Sequence, residues 1–174
     1  KRLFLNLPII DLQHLWIIFL SIAIEQNYKL GSMAEKMESL LEVITESERY
    51  AQIHFIVEEV LIKHIGEDSG SHRNQHRIYL KALSGEISIL KSSIEVDIRQ
   101  VDKISRDLHH YLRDWWLGHI AISDVNYNRA LINCDGKDFI LQQWINEIKE
   151  KNLLTILTIQ KEIYEFVTGK SLNI

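Results

Sequence analysis

Apolar side chains recur every three or four positions along most of the sequence, the spacing that places them on one face of an α-helix. One proline and seven glycines in 174 residues also favour long helices over sheets. The pattern is interrupted by short polar or glycine-containing stretches, which we interpret as loops. It predicts an all-α fold, with helices over residues 9–30 and 33–65, a third from 71 to Ser92-Ser93, a fourth ending near residue 124, and further helix after a loop at 133–136.

Several positions on these inner faces are polar. His54 and Glu58 are four residues apart, as are His72 and His76, so each pair lies on one side of its helix, one turn apart. A buried polar group without a partner costs about 1–3 kcal/mol. This concentration therefore predicts a compensating partner, which a metal ion can provide. The polar residues on the predicted inner faces are His14, His54, Glu58, His72, His76 and His119.

The intervals between these residues predict how the helices are arranged. Roughly 40 residues separate His14 from His54, and roughly 43 separate His76 from His119. Each interval is long enough for the chain to run roughly 20 residues, about 30 Å, along one helix and the same distance back along the next. The polar groups would then lie at one level of an up-down-up-down antiparallel four-helix bundle, to which a C-terminal helical segment is added.

The end of the fourth helix carries one more polar pair, at a less regular spacing. His119 and Asp124 are five residues apart, which separates them by about 140° around an ideal helix. Both can reach one centre only if Asp124 lies at a frayed helix end or if the helix contains a local bulge. The predicted inner face of this helix is Leu108, Leu112, Trp115, His119 and Ile122.

Composition and charge narrow the classes of function. The length predicts one domain with a core, and a net charge of −4 without a basic run argues against nucleic acid as a partner. The one cysteine, Cys134, excludes an internal disulfide framework and a cysteine-based zinc site, and it fits a reducing, cytoplasmic location. No run of about 18 uncharged apolar residues is present, so no membrane span is expected.

The polar residues and their neighbours form a recognisable set over residues 8–127, which resembles the hemerythrin family, including its bacterial single-domain and sensory members. A single pair with four-residue spacing is weak evidence, but five histidines and two carboxylates in the same order on four helices are specific. The matching segments are Asp11-Leu12-Gln13-His14, His54-Phe55-x-x-Glu58-Glu59, His72-x-x-x-His76 and Trp115-x-x-x-His119-Ile120-x-x-x-Asp124-x-x-Tyr127.

The resemblance implies a centre of two non-heme iron ions (Fe2+/Fe3+) with an oxo or hydroxo bridge. It implies that one iron is held by His72, His76 and His119, and the other by His14 and His54. Glu58 and Asp124 would bridge both. The implied function is reversible O2 binding, as carrier, store or oxygen sensor, without enzyme activity. The implied walls of the O2 pocket are Phe55, Trp115, Trp116 and Ile120.

Two other classes of function stay open. One is a di-iron enzyme that acts on peroxide or nitric oxide; the sequence lacks the Glu-x-x-His motif of ferritin-type oxidases, which disfavours it. The other is a helical signalling module with a structural metal, and imidazole ligands also accept zinc or manganese. Besides O2, nitric oxide and other small anions are candidate ligands.

The remaining segments are predicted to have roles other than metal binding. Residues 1–128 are predicted to form the hemerythrin-like bundle, and residues 129–174 a C-terminal helical extension. The apolar stripe over 139–167 is expected to pack on the bundle or to mediate dimerisation or contact with a signalling partner. Three histidines fit no ligand position and are expected at the surface or as caps, and Glu59 is expected to be solvated. These histidines are His64, His109 and His110.

Overall fold

The computed structural model describes residues 4–92, 97–154, 158–169 and 171, and no β-strand occurs among them. The predicted all-α fold is confirmed. The third helix is described up to Ser92; its predicted end at Ser92-Ser93 stays a prediction, since Ser93, like residues 155–157 of the apolar stripe, lies outside the described residues. The helices are α1 (Pro8–Gln26), followed by a 3-10 turn (Asn27–Lys29), α2 (Met33–Ile65), α3 (Gly70–Ser92), α4 (Ile98–Gly118), a π-helical turn (His119–Asp124), α5 (Val125–Ile132), α6 (Lys137–Glu150) and α7 (Thr158–Thr168).

Local sequence signals fix the ends of the long helices. Ser32 caps α2, accepting a hydrogen bond from the backbone NH of Glu35, whose carboxylate accepts one from the backbone NH of Ser32 in return. At the other end, Gly66 has a φ of +84°, a left-handed conformation that glycine adopts without a steric penalty. Because α3 begins only a few residues later, at Gly70, the end of α2 lies beside the start of α3.

The fourth predicted helix does not end near residue 124. α4 continues through the π turn into α5, which ends at Ile132. A π turn contains one residue more than an α-helical turn, so the helix face that continues beyond it is rotated. The prediction for Ile122 is therefore wrong: it is 65% exposed. The most deeply buried tryptophan of this segment is Trp116, 1% exposed, whereas Trp115 is only partly buried.

The helices enclose two large apolar clusters, and a third, small one joins Leu12 of α1 to Tyr164 of α7. α1 packs along α2 and α4, and α2 packs along α3. The larger cluster fills the space between these four helices, and in it the indole NH of Trp116 donates a hydrogen bond of 2.8 Å to the hydroxyl of Tyr79. The smaller cluster lies where α6 packs on α2 and includes Trp144 and Ile148. The predicted apolar stripe is thus partly buried, although Phe139 is 68% exposed.

Helix α1 has the length and composition of a helix that could cross a membrane, and 56% of its most apolar stretch is buried inside the structure. It also carries Asp11, Gln13 and His14, which are all buried. The core helix of a soluble protein satisfies the same test of length and apolarity. The absence of a membrane span therefore stays a prediction.

The contact between α6 and α2 is expected to weaken in acid. Glu147 on α6 lies 2.6 Å from the Lys151 ammonium and 2.8 Å from the His64 imidazole of α2. The hydrogen bond from Lys151 lowers the pKa of Glu147 to about 2 from an ordinary 4.5. Its stabilisation is then complete above pH 4.5 and is lost as the pH falls towards 2. Glu147→Gln should therefore lower the free energy of unfolding at pH 7 and match the parent near pH 2.

Denaturant unfolding between pH 2 and pH 7 measures this difference. Glu150→Gln, an exposed position on the same helix, is the control for the loss of one negative charge. A deficit in Glu147→Gln that is equally large at pH 2 and pH 7 would contradict the assignment.

Candidate metal centre

Seven buried histidine and carboxylate side chains meet where α1, α2, α3 and the π turn approach one another. None of them is more than 8% exposed. Six form two overlapping groups, in each of which the candidate donor atoms all lie within 4.8 Å of one another. One group is Glu58, His72, His76 and His119, and the other is His14, His54 and Glu58.

Glu58 lies at the centre of both groups. Its Oε2 atom is 3.4 Å from Nε2 of His54, and also 3.4 Å from Nε2 of His72 and of His76. Its Oε1 atom is 3.7 Å from Nε2 of His14 and accepts a hydrogen bond of 2.6 Å from the Tyr127 hydroxyl. Oε1 therefore faces His14, while Oε2 faces His54 together with His72 and His76, so Glu58 touches histidines of both groups.

Asp124, the seventh residue, adjoins both groups. Its Oδ2 atom is 3.2 Å from Nε2 of His14, while its Oδ1 atom is 3.2 Å from Nε2 of His119 and 3.7 Å from Nε2 of His72. The structure thus brings together every residue that the sequence offers as a metal ligand. Asp124 has one oxygen near His14 and the other near His72 and His119, so it also touches histidines of both groups.

The π turn explains how His119 and Asp124 reach the same centre. In an α-helix five residues would separate them by about 140°, but a π turn forms its hydrogen bonds between residues five apart. Such a turn spans His119–Asp124. Of the two geometries left open by the sequence, the structure has the local bulge, and α5 continues the helix beyond it.

The other ring nitrogens of three histidines are held by oxygen atoms of neighbouring side chains. Partners of this kind orient an imidazole and fix which nitrogen carries the proton. Here each Nδ1 that donates leaves Nε2 directed to the centre, where Nε2 of His76 and Nε2 of His119 lie 3.1 Å apart. The contacts are His54 Nδ1 to Gln13 Oε1 at 3.0 Å, His76 Nδ1 to Glu59 Oε1 at 3.0 Å, and His119 Nδ1 to Gln75 Oε1 at 2.8 Å.

Sequence reasoning missed these three partners. Each of them stands directly next to a candidate ligand in the chain, and each binds a histidine of a different helix. A polar residue directly next to a candidate ligand in the sequence is therefore a signal for such a partner. Which histidine it contacts depends on how the helices are rotated against one another. Glu59 was expected to be solvated; instead its side chain is only 30% exposed and contacts His76.

Aromatic and aliphatic side chains surround the centre. The Phe55 ring stacks on His76 with centroids 3.7 Å apart, and the Trp115 ring stacks on His119 at 4.3 Å. The Trp116 ring lies 5.3 Å from that of His54, and Ile120 is fully buried. All four residues predicted for the pocket wall therefore lie beside candidate ligands or in the adjoining core. Their contact with a bound gas molecule stays a prediction.

Several donor atoms at the centre have no hydrogen-bond partner among the described residues. These are both ring nitrogens of His14, Nε2 of His54 and both carboxylate oxygens of Asp124. Ion pairs such as His14 Nε2 to Asp124 Oδ2 at 3.2 Å offset part of the cost, but a buried group without a hydrogen bond costs about 1–3 kcal/mol, so the protein alone does not fully satisfy this cluster. A coordinated cation would satisfy it. The groups could hold a metal ion, and imidazole with carboxylate accommodates iron, zinc or manganese.

Charge is distributed unevenly across the cluster. Burial lowers the pKa of His119 to about 3 and that of His54 well below its ordinary value, so both imidazoles are neutral near pH 7. Burial alone would lower the pKa of His14, but Asp124 and Glu58 raise it to about 9. Burial and the charge of Glu58 raise the pKa of Asp124 to about 6. Metal binding needs neutral imidazoles, so His14 has to release a proton when a cation binds.

The three remaining histidines lie away from the centre. His64 contacts Glu147, and His110 is exposed, as expected for surface positions. The prediction for His109 is wrong, since it is 7% exposed and its Nδ1 lies 2.7 Å from the backbone oxygen of Ser21. Its Nε2 lies 3.9 Å from Oε2 of Glu25, so both ring nitrogens face groups of α1.

Comparison with known proteins adds no relative: no protein-family model, no curated protein and no solved structure matches this sequence.

Proposed function

We propose that this chain is a hemerythrin-like protein that binds O2 reversibly at a non-heme di-iron centre. The observation that carries the proposal is the convergence of five buried histidines on two buried carboxylates, with Glu58 belonging to both groups of donors. A single metal ion would not need two donor groups that share one carboxylate. Two ions bridged by Glu58 and Asp124 account for both groups.

The proposed arrangement of the helices is an up-down-up-down antiparallel four-helix bundle formed by α1 to α4, with α5 continuing α4. Support comes from the contacts of α1 with α2 and α4 and of α2 with α3. The hydrogen bond from Trp116 to Tyr79 joins α4 to α3 and completes the ring. In such a bundle, side chains from facing helices build the metal site in the core.

The two sets of histidines are unequal, and this asymmetry supports binding of an external molecule. Three imidazoles face one proposed iron position, whereas His14 and His54 alone face the other. The position with fewer protein ligands is the one that a small molecule can occupy. When bound, the iron pair would supply the electrons on which O2 binding depends.

The protein's own residues provide the conditions for reversible binding. Gln13, Glu59 and Gln75 hold three imidazoles in fixed orientations. Phe55, Trp116 and Ile120 are buried and keep water away from the histidines they adjoin. A dry surrounding slows protonation and loss of the bound molecule. Residues that orient and exclude water, without an added acid or base, favour binding over turnover.

An anaerobic-to-aerobic optical titration with metal analysis tests the proposal. We expect two irons per chain and a visible absorption band that forms on exposure to O2 and disappears when O2 is removed. The zinc-loaded protein is the control and should show no band. Loading of one ion per chain would contradict the paired site, and immediate irreversible oxidation without an oxygenated species would contradict the carrier function.

A further inference from the structure

One of the seven candidate ligands is less enclosed than the others. His72 is 8% exposed, whereas no other member of the set exceeds 4%. His72 lines a pocket with a volume of about 240 Å³ that lies beside the start of α3, the π turn and α5. Tyr127 also lines this pocket, and its hydroxyl donates to Oε1 of Glu58. The pocket thus leads from the surface to two residues of the centre.

The lining of this pocket suits a cation. Glu67 and Asp68 stand at its edge as exposed carboxylates, and neither Lys nor Arg occurs among the described residues that line it. Its remaining polar residues offer hydroxyl and amide oxygens, which replace water around a hard cation. A cleft lined by one sign of charge raises the local concentration of the opposite ion. These polar residues are Ser71, Gln75, Ser123 and Asn126.

The groove on the other side of α3 differs in charge, because cationic side chains line it. It is larger, about 1180 Å³, and it reaches His76, and its wall carries the cations Arg73, Arg77 and Lys81. Glu59 and Asp68 also line it, and Asp68 is shared with the smaller pocket. The Phe55 ring also lies flat against His76, with an angle of 8° between the rings, and covers it from this side. A cation approaching through this groove meets three positive charges besides the two carboxylates, and then an aromatic ring.

We propose that the pocket at His72 is the route by which a divalent cation enters and leaves the centre. Glu67 and Asp68 attract the ion, and His72 is the first ligand that it reaches. The inference rests on the proposed metal centre, and it concerns the rate of loading rather than the number of ions bound.

The test measures Co2+ uptake by the metal-free full chain in a stopped-flow experiment. Tryptophan fluorescence is the signal, since Trp115 stacks on His119 and a paramagnetic ion nearby quenches it. Two changes probe the route. Ala130→Phe narrows the pocket, and the double variant Glu67→Gln with Asp68→Asn removes both charges. The asparagine can still accept the hydrogen bond that Asp68 receives from the NH of Gly70.

The two variants have different expected signatures. Ala130→Phe should slow uptake, and release to excess chelator, by the same factor of about tenfold, because an obstruction leaves the equilibrium constant unchanged. The double variant should slow uptake about fivefold at low ionic strength and approach the parent at high salt, as expected for steering by charge. Both should bind as many Co2+ ions as the parent.

The matched control is Glu38→Gln with Glu42→Gln, which removes two exposed charges from the distant part of α2 and should leave the uptake rate unchanged. If both pocket variants load and release Co2+ at the parent's rates, the route is wrong while the metal centre stands. A parent chain that binds no Co2+ at all would overturn the metal centre, and the route with it.

Discussion

A Glu58→Ala variant is expected to hold at most one metal ion per chain, whereas we expect the parent to hold two. Glu58 is the residue shared by both donor groups, and its Oε2 atom is 3.4 Å from each of three imidazole nitrogens. Removing it would delete the proposed bridge and leave two positively charged ions with less negative charge between them. We expect the larger loss at the position of His14 and His54, which has the fewest ligands of its own.

Metal analysis after anaerobic loading and desalting measures the stoichiometry. Glu42→Ala, at an exposed position on the same helix, is the matched control and should keep both ions. Glu58→Gln provides a variant of the same size, so that a loss of metal is not mistaken for a cavity effect. Two irons in Glu58→Ala would show that Glu58 has been assigned the wrong role.

Removal of metal is expected to destabilise the fold strongly. In the metal-free chain, His14 and Asp124 keep buried atoms without hydrogen-bond partners, and Asp124 repels Glu58. Ions that bind only the folded state add about 3–4 kcal/mol when their concentration is 100 to 1,000 times the dissociation constant. For a chain of this size the corresponding rise in Tm is on the order of 10 °C.

Thermal unfolding with Zn2+, and again after chelation, measures this difference without redox chemistry. The Glu58→Ala variant should show a clearly smaller rise than the parent, whereas Glu42→Ala should show the full rise. Equal Tm values for the parent with and without metal would mean that the buried histidines are satisfied in some other way.

The candidate ligands were accessible from the sequence because helices repeat regularly. Histidine and glutamate at a four-residue spacing on an otherwise apolar face stand out, and the structure brings all seven together. The sequence does not decide how Asp124 reaches the same centre as His119. A frayed end and a bulge are both compatible with five residues between ligands, and only the packing of α5 against the rest of the helices selects between them.

Features that depend on the rotation of one helix against another could not be predicted. Gln13 and Gln75 were not identified as partners of His54 and His119, because adjacent positions on a helix point about 100° apart. The burial of His109 depends on the backbone of α1 facing it. The exposure of Ile122 follows from the π turn, across which the regular α-helical spacing does not hold.

The π turn also determines which insertions and deletions the chain could tolerate. A residue gained or lost between His119 and Asp124 would rotate one carboxylate away from the centre by about 100°. The loop from Gly66 to Ser69 carries no candidate ligand, and its length has no such restriction. A search pattern for distant homologues should therefore hold the five-residue interval constant and let the connection between α2 and α3 vary in length.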